Sequence, residues 1–164
     1  MIQVFENLYV GDDTDYLSNH ILMNKDWRVV HACKEPYHRK ALGYQTRGAP
    51  KGPYYYFVYD NYNHLILNIV DGVPCEFYNN EMIDEAIAYC ISGLESNHNV
   101  LIHCNQGESR APSIAMLVLK KLNVLPHNFD VAYSTFKSLY PNFIPSSGIL
   151  EYLCNKWKNG SDDL

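Results

Sequence analysis

The chain has 164 residues, of which 47% are hydrophobic, which fits one compact domain with a sizeable core and argues against disorder. Its formal net charge of −5 speaks against a nucleic-acid or anionic-membrane binder, since such proteins carry a basic surplus. No stretch approaches the ~18 consecutive apolar residues of a membrane helix. The first residues, MIQVFENLYVGDD, lack the basic-then-apolar order of a signal peptide, so a cytoplasmic protein is expected.

The five cysteines are Cys33, Cys75, Cys90, Cys104 and Cys154. An odd count with no CxxC pair reads as reduced thiols rather than a disulfide framework or a zinc site. The histidines show no zinc-site spacing. His31 and Cys33 point the same way from one strand but read as core or edge positions. No metal and no cofactor is expected.

In chain order, Val4 to Gly11 reads as an opening strand. Asp12 and Asp13 offer N-caps to a short helix from Thr14 to Met23. Trp27 to Cys33 is a second strand, with Val29, Val30 and Ala32 as core. From Lys34 to Tyr54, prolines, glycines and basic residues predict a long surface loop, with a substrate-facing flap as the sharper alternative. Pro53 to Asp60 and His64 to Val70 read as strands, and Asp71-Gly72-Val73-Pro74 as the loop that follows. Asn79 or Asn80 caps a helix from Glu81 to Glu95, whose apolar positions Ile83, Ile87, Cys90, Ile91 and Leu94 recur at helical spacing. Asn99 to His103 is a short buried strand, and a helix runs from Arg110 to Leu122. Two further helices, Phe129 to Leu139 and Ser147 to Lys158, take caps from Asn128 and from Ser146 or Ser147. Residues 159–164 read as a frayed tail. Strands that alternate with helices predict a single α/β domain over 1–158: a central mixed, largely parallel sheet flanked by helices.

The chemistry concentrates between the buried strand and the helix after it, in Cys104-Asn105-Gln106-Gly107-Glu108-Ser109-Arg110. A strand, a tight loop and a helix N-terminus aim backbone N–H groups into one concavity, an arrangement that gathers phosphate oxygens. Gly107 admits a backbone conformation barred to bulkier residues, and Pro112 sits in the first helical turn, where its missing N–H costs nothing. Helix N-termini and neighbouring arginines favour the thiolate form of a cysteine, which is the nucleophilic one. Arg110 can fork two donors onto two phosphate oxygens. Cysteine and arginine six positions apart is weak by itself. Gly107, His103 and the strand–loop–helix setting make it specific.

His103-Cys104-Asn105-Gln106-Gly107-Glu108-Ser109-Arg110 resembles the HCxxGxxR signature of protein tyrosine phosphatases, and the wider pattern resembles their small dual-specificity branch. The resemblance extends to Asn7-Leu8-Tyr9-Val10-Gly11, the strand before Asp71, the capped helix, and Ile144-Pro145-Ser146-Ser147-Gly148 with the turn that follows. It implies a phosphocysteine mechanism with Cys104 as nucleophile, Arg110 and the backbone of Asn105, Gln106, Gly107, Glu108 and Ser109 as phosphate holders, and Asp71 as general acid. Asp60 precedes its strand and Asp84 falls inside a helix, so both fit the acid's place poorly. His103 orients the loop and Ser109 donates to loop or phosphate, unless either is a local structural contact. Cys33 matches a cysteine that in some relatives forms a reversible disulfide with the nucleophile; plain packing is the alternative.

Two departures stand out. The family's usual Ser or Thr after the arginine is Ala111 here, which leaves breakdown of the phosphocysteine to another hydroxyl such as Ser113, or slow. Glu108 adds negative charge to a loop in which phosphoinositide-directed relatives place lysines, so a phosphorylated protein is the expected partner, with no nucleic acid and no membrane. The rival readings are a non-catalytic phosphate-binding module, which Ala111 keeps open, and a rhodanese-like sulfur transferase, which the signature fits less well.

Overall fold

A computed structural model describes residues 1–18, 25–52, 55–61 and 63–158. Six strands form one sheet: β1 (Ile2–Phe5), β2 (Leu8–Gly11), β3 (Trp27–His31), β4 (Phe57–Asp60), β5 (His64–Leu67) and β6 (Asn99–His103). Their spatial order is β1-β2-β6-β3-β5-β4. The four inner strands run parallel, and each edge is closed by an antiparallel neighbour, β1 on β2 and β4 on β5. The sheet is mixed and largely parallel, as the alternation of strands and helices predicts.

The helices are α1 (Asp13–Ser18), α2 (Arg39–Leu42), α3 (Asn80–Glu95), α4 (Arg110–Lys121), α5 (Phe129–Leu139) and α6 (Ser147–Lys158). Leu8, Val10, Val30, Leu65, Val100 and Ile102 point from one face of the sheet into the main core with α3, α4 and α6. The other face, with Val29, His31, Leu101 and His103, is covered by Tyr16 of α1 and by Tyr37. Val100, Leu101 and Ile102 are fully buried. At about 1.5–3 kcal/mol per buried aliphatic side chain, β6 is fixed in the centre of the molecule, and the loop it feeds starts from a rigid base.

The opening strand expected over Val4 to Gly11 is a hairpin. Asn7 takes a left-handed φ of 57°, a conformation asparagine tolerates, and β1 folds back on β2. The long loop expected from Lys34 to Tyr54 is helical over its first half: a kinked helical turn (Lys34–His38) runs into α2, and Gly43 ends it at φ 70°. Prolines and glycines read as breakers, yet Pro36 lies in the first turn, where its missing N–H costs nothing, and glycine is the usual residue after a helix end. Arg39 stitches the segment together, donating to both carboxylate oxygens of Glu35 and to the carbonyls of Tyr44 and Thr46. Residues 53 and 54, part of the expected strand before β5, lie outside the described residues; so do the end of the expected first helix and the tail. The described strands are shorter than expected: β4 opens only at Phe57, and β5 closes at Leu67.

Asn79 caps α3, accepting from Met82 N at 2.8 Å, and Asn128 caps α5, accepting from Val131 N at 3.1 Å. The buried face of α3 is Met82, Ile83, Ala86, Tyr89, Cys90 and Gly93, whereas the expected Ile87, Ile91 and Leu94 are half-buried. Close approach sets this rotation: a Cβ on Gly93 would lie 2.8 Å from Val100 Cγ2, so the helix turns its smallest residues to the sheet.

Candidate active site

β6 ends at His103 and α4 begins at Arg110, with Cys104 to Ser109 as the loop between them. Gly107 takes φ 69°, and a Cβ there would meet the Gly11 carbonyl oxygen at 3.0 Å and the Tyr140 hydroxyl at 3.1 Å. Glycine is required on both counts. The loop is tied from outside: Tyr140 donates its hydroxyl to Gly107 O at 2.8 Å, and Ile144 N donates to Glu108 O at 2.7 Å. With carbonyls facing out, the amides face in. Among the described residues, the N–H groups of Asn105 to Ser109 find no protein acceptor. Such a ring of free amides at a helix N-terminus can receive an anion.

Cys104 is 1% exposed, at the floor of this loop, and its N–H reaches Gly11 O at 3.4 Å. Arg110 is nearly buried and is held from two sides. Its Nη2 donates to Asn105 Oδ1 at 3.0 Å, and its Nε stands 3.4 Å from Asp71 Oδ2, too oblique for a directed hydrogen bond. Asp71 is further fixed by Ser109 Oγ, which donates to its Oδ1 at 2.9 Å, and by Gly72 N at the same distance. Ser109 in turn accepts from Ser146 N at 3.1 Å, which joins the Asp71 loop, the cradle and the start of α6. A Cβ on Gly148 would lie 2.0 Å from Val73 O, so α6 packs directly on the backbone of the Asp71 loop. Asp60 ends β4 and Asp84 pairs with Lys156 at 3.1 Å; neither is among the groups holding Arg110.

Of the remaining expected residues, His103 is fully buried beneath the loop and Ser113 donates its hydroxyl to Ser109 O at 2.7 Å, within the first turn of α4. Gln106 and Glu108 are exposed. They line an open depression of about 390 Å³ together with Asp71, Ser109, Ile144 and Ser146. Cys33 is fully buried; burial first, and then the Asp13 carboxylate, pushes its thiol well above the usual range. The charges of Arg110 and Cys104 also act on it.

Sequence reasoning missed Asp13, taking it as one of two helix caps. Asp12 does the capping: its side chain accepts from Asp15 N at 2.8 Å, and Asp15 reaches back to Asp12 N, a reciprocal arrangement that satisfies two free donors. Asp13 is thereby released toward the cradle, where Asn105 Nδ2 donates to its Oδ2 at 2.9 Å and Tyr37 OH to its Oδ1 at 3.1 Å. The contact with His103 first, and then Asn105, against the opposing effect of burial, holds its carboxyl below the usual range. Asn105 also donates to Glu35 O at 2.9 Å, so the segment after β3 braces the loop directly. Asp13, Cys33 and His103 each bring one possible metal-ligand atom within 4.8 Å of the others. In sequence, an acidic pair before a short helix was the one visible sign of Asp13.

No protein-family model and no curated protein matches the sequence. Solved structures do. The chain is similar to DUSP15, with 18% identity and a TM-score of 0.68 over 99% of this chain and 90% of that one. It is similar to human DUSP28, with 14% identity and a TM-score of 0.64 over 97% and 96%. It is also similar to the human tyrosine phosphatase-like serine/threonine/tyrosine-interacting protein, with 13% identity and a TM-score of 0.65 over 96% and 95%. At these identities the likeness is one of fold, and the chain has the fold of the dual-specificity branch of the cysteine-based protein tyrosine phosphatases.

Proposed function

We propose that the chain is a phosphoprotein phosphatase that acts through a phosphocysteine, on phosphotyrosine and on phosphoserine or phosphothreonine. The observation that carries this reading is the Asp71 carboxylate held against Arg110 and Ser109 at the mouth of a loop whose floor is Cys104. A phosphate binder has no use for a carboxylate placed there; an in-line displacement needs one to protonate the leaving oxygen. Cys104 thiolate attacks phosphorus, the S–P bond forms, the P–O bond breaks, and Asp71 gives its proton to the leaving alkoxide or phenoxide. Water then attacks the phosphocysteine while Asp71 takes its proton, and phosphate leaves with the thiolate restored. The free amides and Arg110 hold the equatorial oxygens through both steps.

Substrate class follows from charge and shape. Arg110 is the one basic side chain in the loop and Glu108 is exposed beside it, which disfavours polyanionic headgroups and RNA triphosphate ends. The depression at Asp71 is open, so it admits short phosphorylated side chains as well as phosphotyrosine. Among the described residues no helix is long and apolar enough to cross a membrane. We place the protein in the cytoplasm, where reduced thiols persist.

Turnover of p-nitrophenyl phosphate tests the reading. Wild type is active, Cys104→Ser is dead, and Asp71→Asn falls by about 10²-fold or more; an active Cys104→Ser variant overturns it. A phosphopeptide and phosphoinositide panel assigns the substrate. Cys33 is the proposed partner of an oxidised nucleophile: peroxide converts Cys104 to the sulfenic acid, and the Cys33 thiol displaces water to leave a disulfide. Peptide mapping after mild peroxide must then show a Cys33–Cys104 link.

The second reading, a phosphate-binding module, has one specific observation behind it. Ala111 is fully buried and brings no hydroxyl, and the Ser113 hydroxyl is committed to Ser109 O. Phosphopeptide binding by wild type without any turnover would select it.

A further inference from the structure

Three imidazoles form a continuous chain beneath the cradle. His103 Nε2 lies 2.7 Å from His31 Nδ1, and His31 Nε2 lies 2.9 Å from His64 Nδ1. The parallel register puts His31 directly beside His103 and Val29 beside His64, so all three rings share one face of the sheet. Tyr16 stacks on His103 at 4.7 Å, and Tyr37 lies 4.4 Å from His31. At the inner end, His103 Nδ1 lies 3.2 Å from Asp13 Oδ1, an ion-pair distance without the alignment of a directed hydrogen bond. At the outer end, His64 is half-buried opposite Asp60 of β4.

A neutral imidazole has one donor and one acceptor nitrogen. An ionised Asp13 beside Nδ1 of His103 demands the hydrogen there, since a bare nitrogen would face a carboxylate. Nε2 of His103 must then accept, His31 must donate from Nδ1 and accept at Nε2, and His64 must donate from Nδ1. The carboxylate at the inner end and the His64 donor at the outer end thus favour one direction along the chain. Burial lowers His31 well below the usual histidine value, and burial likewise lowers His64 against the pull of Asp60. The other groups facing the chain are Tyr16, whose hydroxyl burial keeps protonated, Tyr37, kept protonated by burial and Asp13, and Cys33 behind Asp13.

We infer that His31 and His64 are positioning residues that lock His103 in its Nδ1–H tautomer, so that Asp13 holds Asn105 and Asn105 holds Arg110 against the incoming phosphate. The inner half of that route is direct: Asp13 Oδ2 accepts from Asn105 at 2.9 Å, and Asn105 Oδ1 accepts from Arg110 at 3.0 Å. Removing the outer donor frees His31 and then His103 to take the opposite tautomer. Asp13 is repelled, and Asn105, then braced by Glu35 O alone, holds the guanidinium less firmly. The anion-binding half of the inference rests on the phosphatase reading above; the tautomer half does not.

The experiment is 15N NMR of the full chain labelled at histidine, with inorganic phosphate titrated by calorimetry. His64 is the site to change because it lies near the sheet edge and is half-exposed. All three rings of wild type carry hydrogen on Nδ1, and His64→Leu shifts His103 toward hydrogen on Nε2. The loss of about one hydrogen bond's worth of organisation weakens phosphate about fivefold, whereas His64→Asn, whose amide donates from the Nδ1 position, recovers most of it. A wild-type His103 with hydrogen on Nε2, or a His64→Leu protein with unchanged His103 signals and phosphate affinity, overturns the inference. Correct tautomers in a protein inert toward p-nitrophenyl phosphate would sink the enzyme and leave the imidazole chain standing; turnover with the wrong tautomers would do the reverse.

Discussion

Ser109 touches more of the site than its small side chain implies. One hydroxyl donates to Asp71 and accepts from Ser146 N. Ser109→Ala should lower kcat on p-nitrophenyl phosphate about tenfold through a misplaced Asp71 while leaving phosphate affinity within about twofold, a split that steady-state kinetics and calorimetry together can read. Ala111→Ser restores the hydroxyl of similar signatures. It should speed hydrolysis of the phosphocysteine, so that a pre-steady-state burst shrinks as turnover rises; an unchanged burst counts against that role. That Cys104, Arg110 and Asp71 would lie together was legible from the signature between β6 and α4 and from the place of Asp71 just past a strand. Asp13, His31 and His64 were not, because their roles depend on which strands lie side by side, and spacing along the chain carries no trace of that.

At the scale of elements, caps and close approaches set where the site sits. Asn79→Ala should cost about 1 kcal/mol as Met82 N loses its acceptor, seen as a few degrees in Tm with activity retained. Gly148→Ala should do more damage to catalysis than to folding. Its Cβ would collide with Val73 O, pushing the Asp71 loop from Arg110, so activity should fall while the helical circular dichroism stays. The bounds of α5 and α6 were readable from apolar spacing; Asn128 caps α5 as expected, whereas the Ser146 hydroxyl makes no capping hydrogen bond among the described residues at the start of α6. The first hairpin and the turn after β3 were not. A single left-handed Asn7 and a proline in a first helical turn are local choices that tertiary packing decides.

For the whole molecule, acid sensitivity follows from buried histidines. Burial holds His31, His38 and His64 below the usual histidine value. The unfolded chain therefore binds more protons than the folded one below about pH 6.5, and stability rises with pH through that window. Each such group contributes up to about 1.4 kcal/mol per pH unit. Urea midpoints should be flat above about pH 7 and fall steadily toward pH 5. Asp13, also lowered, acts in a separate window: its contribution is complete above about pH 4 and fades only in stronger acid.

The order β1-β2-β6-β3-β5-β4 also governs how this protein comes into being. β6 lies between partners drawn from the first third of the chain, so the loop it carries cannot exist until distant segments have met. Pairings of that span are slow relative to helix formation. In stopped-flow refolding, helical signal should return first, and competence to bind phosphate should wait for β2 to dock.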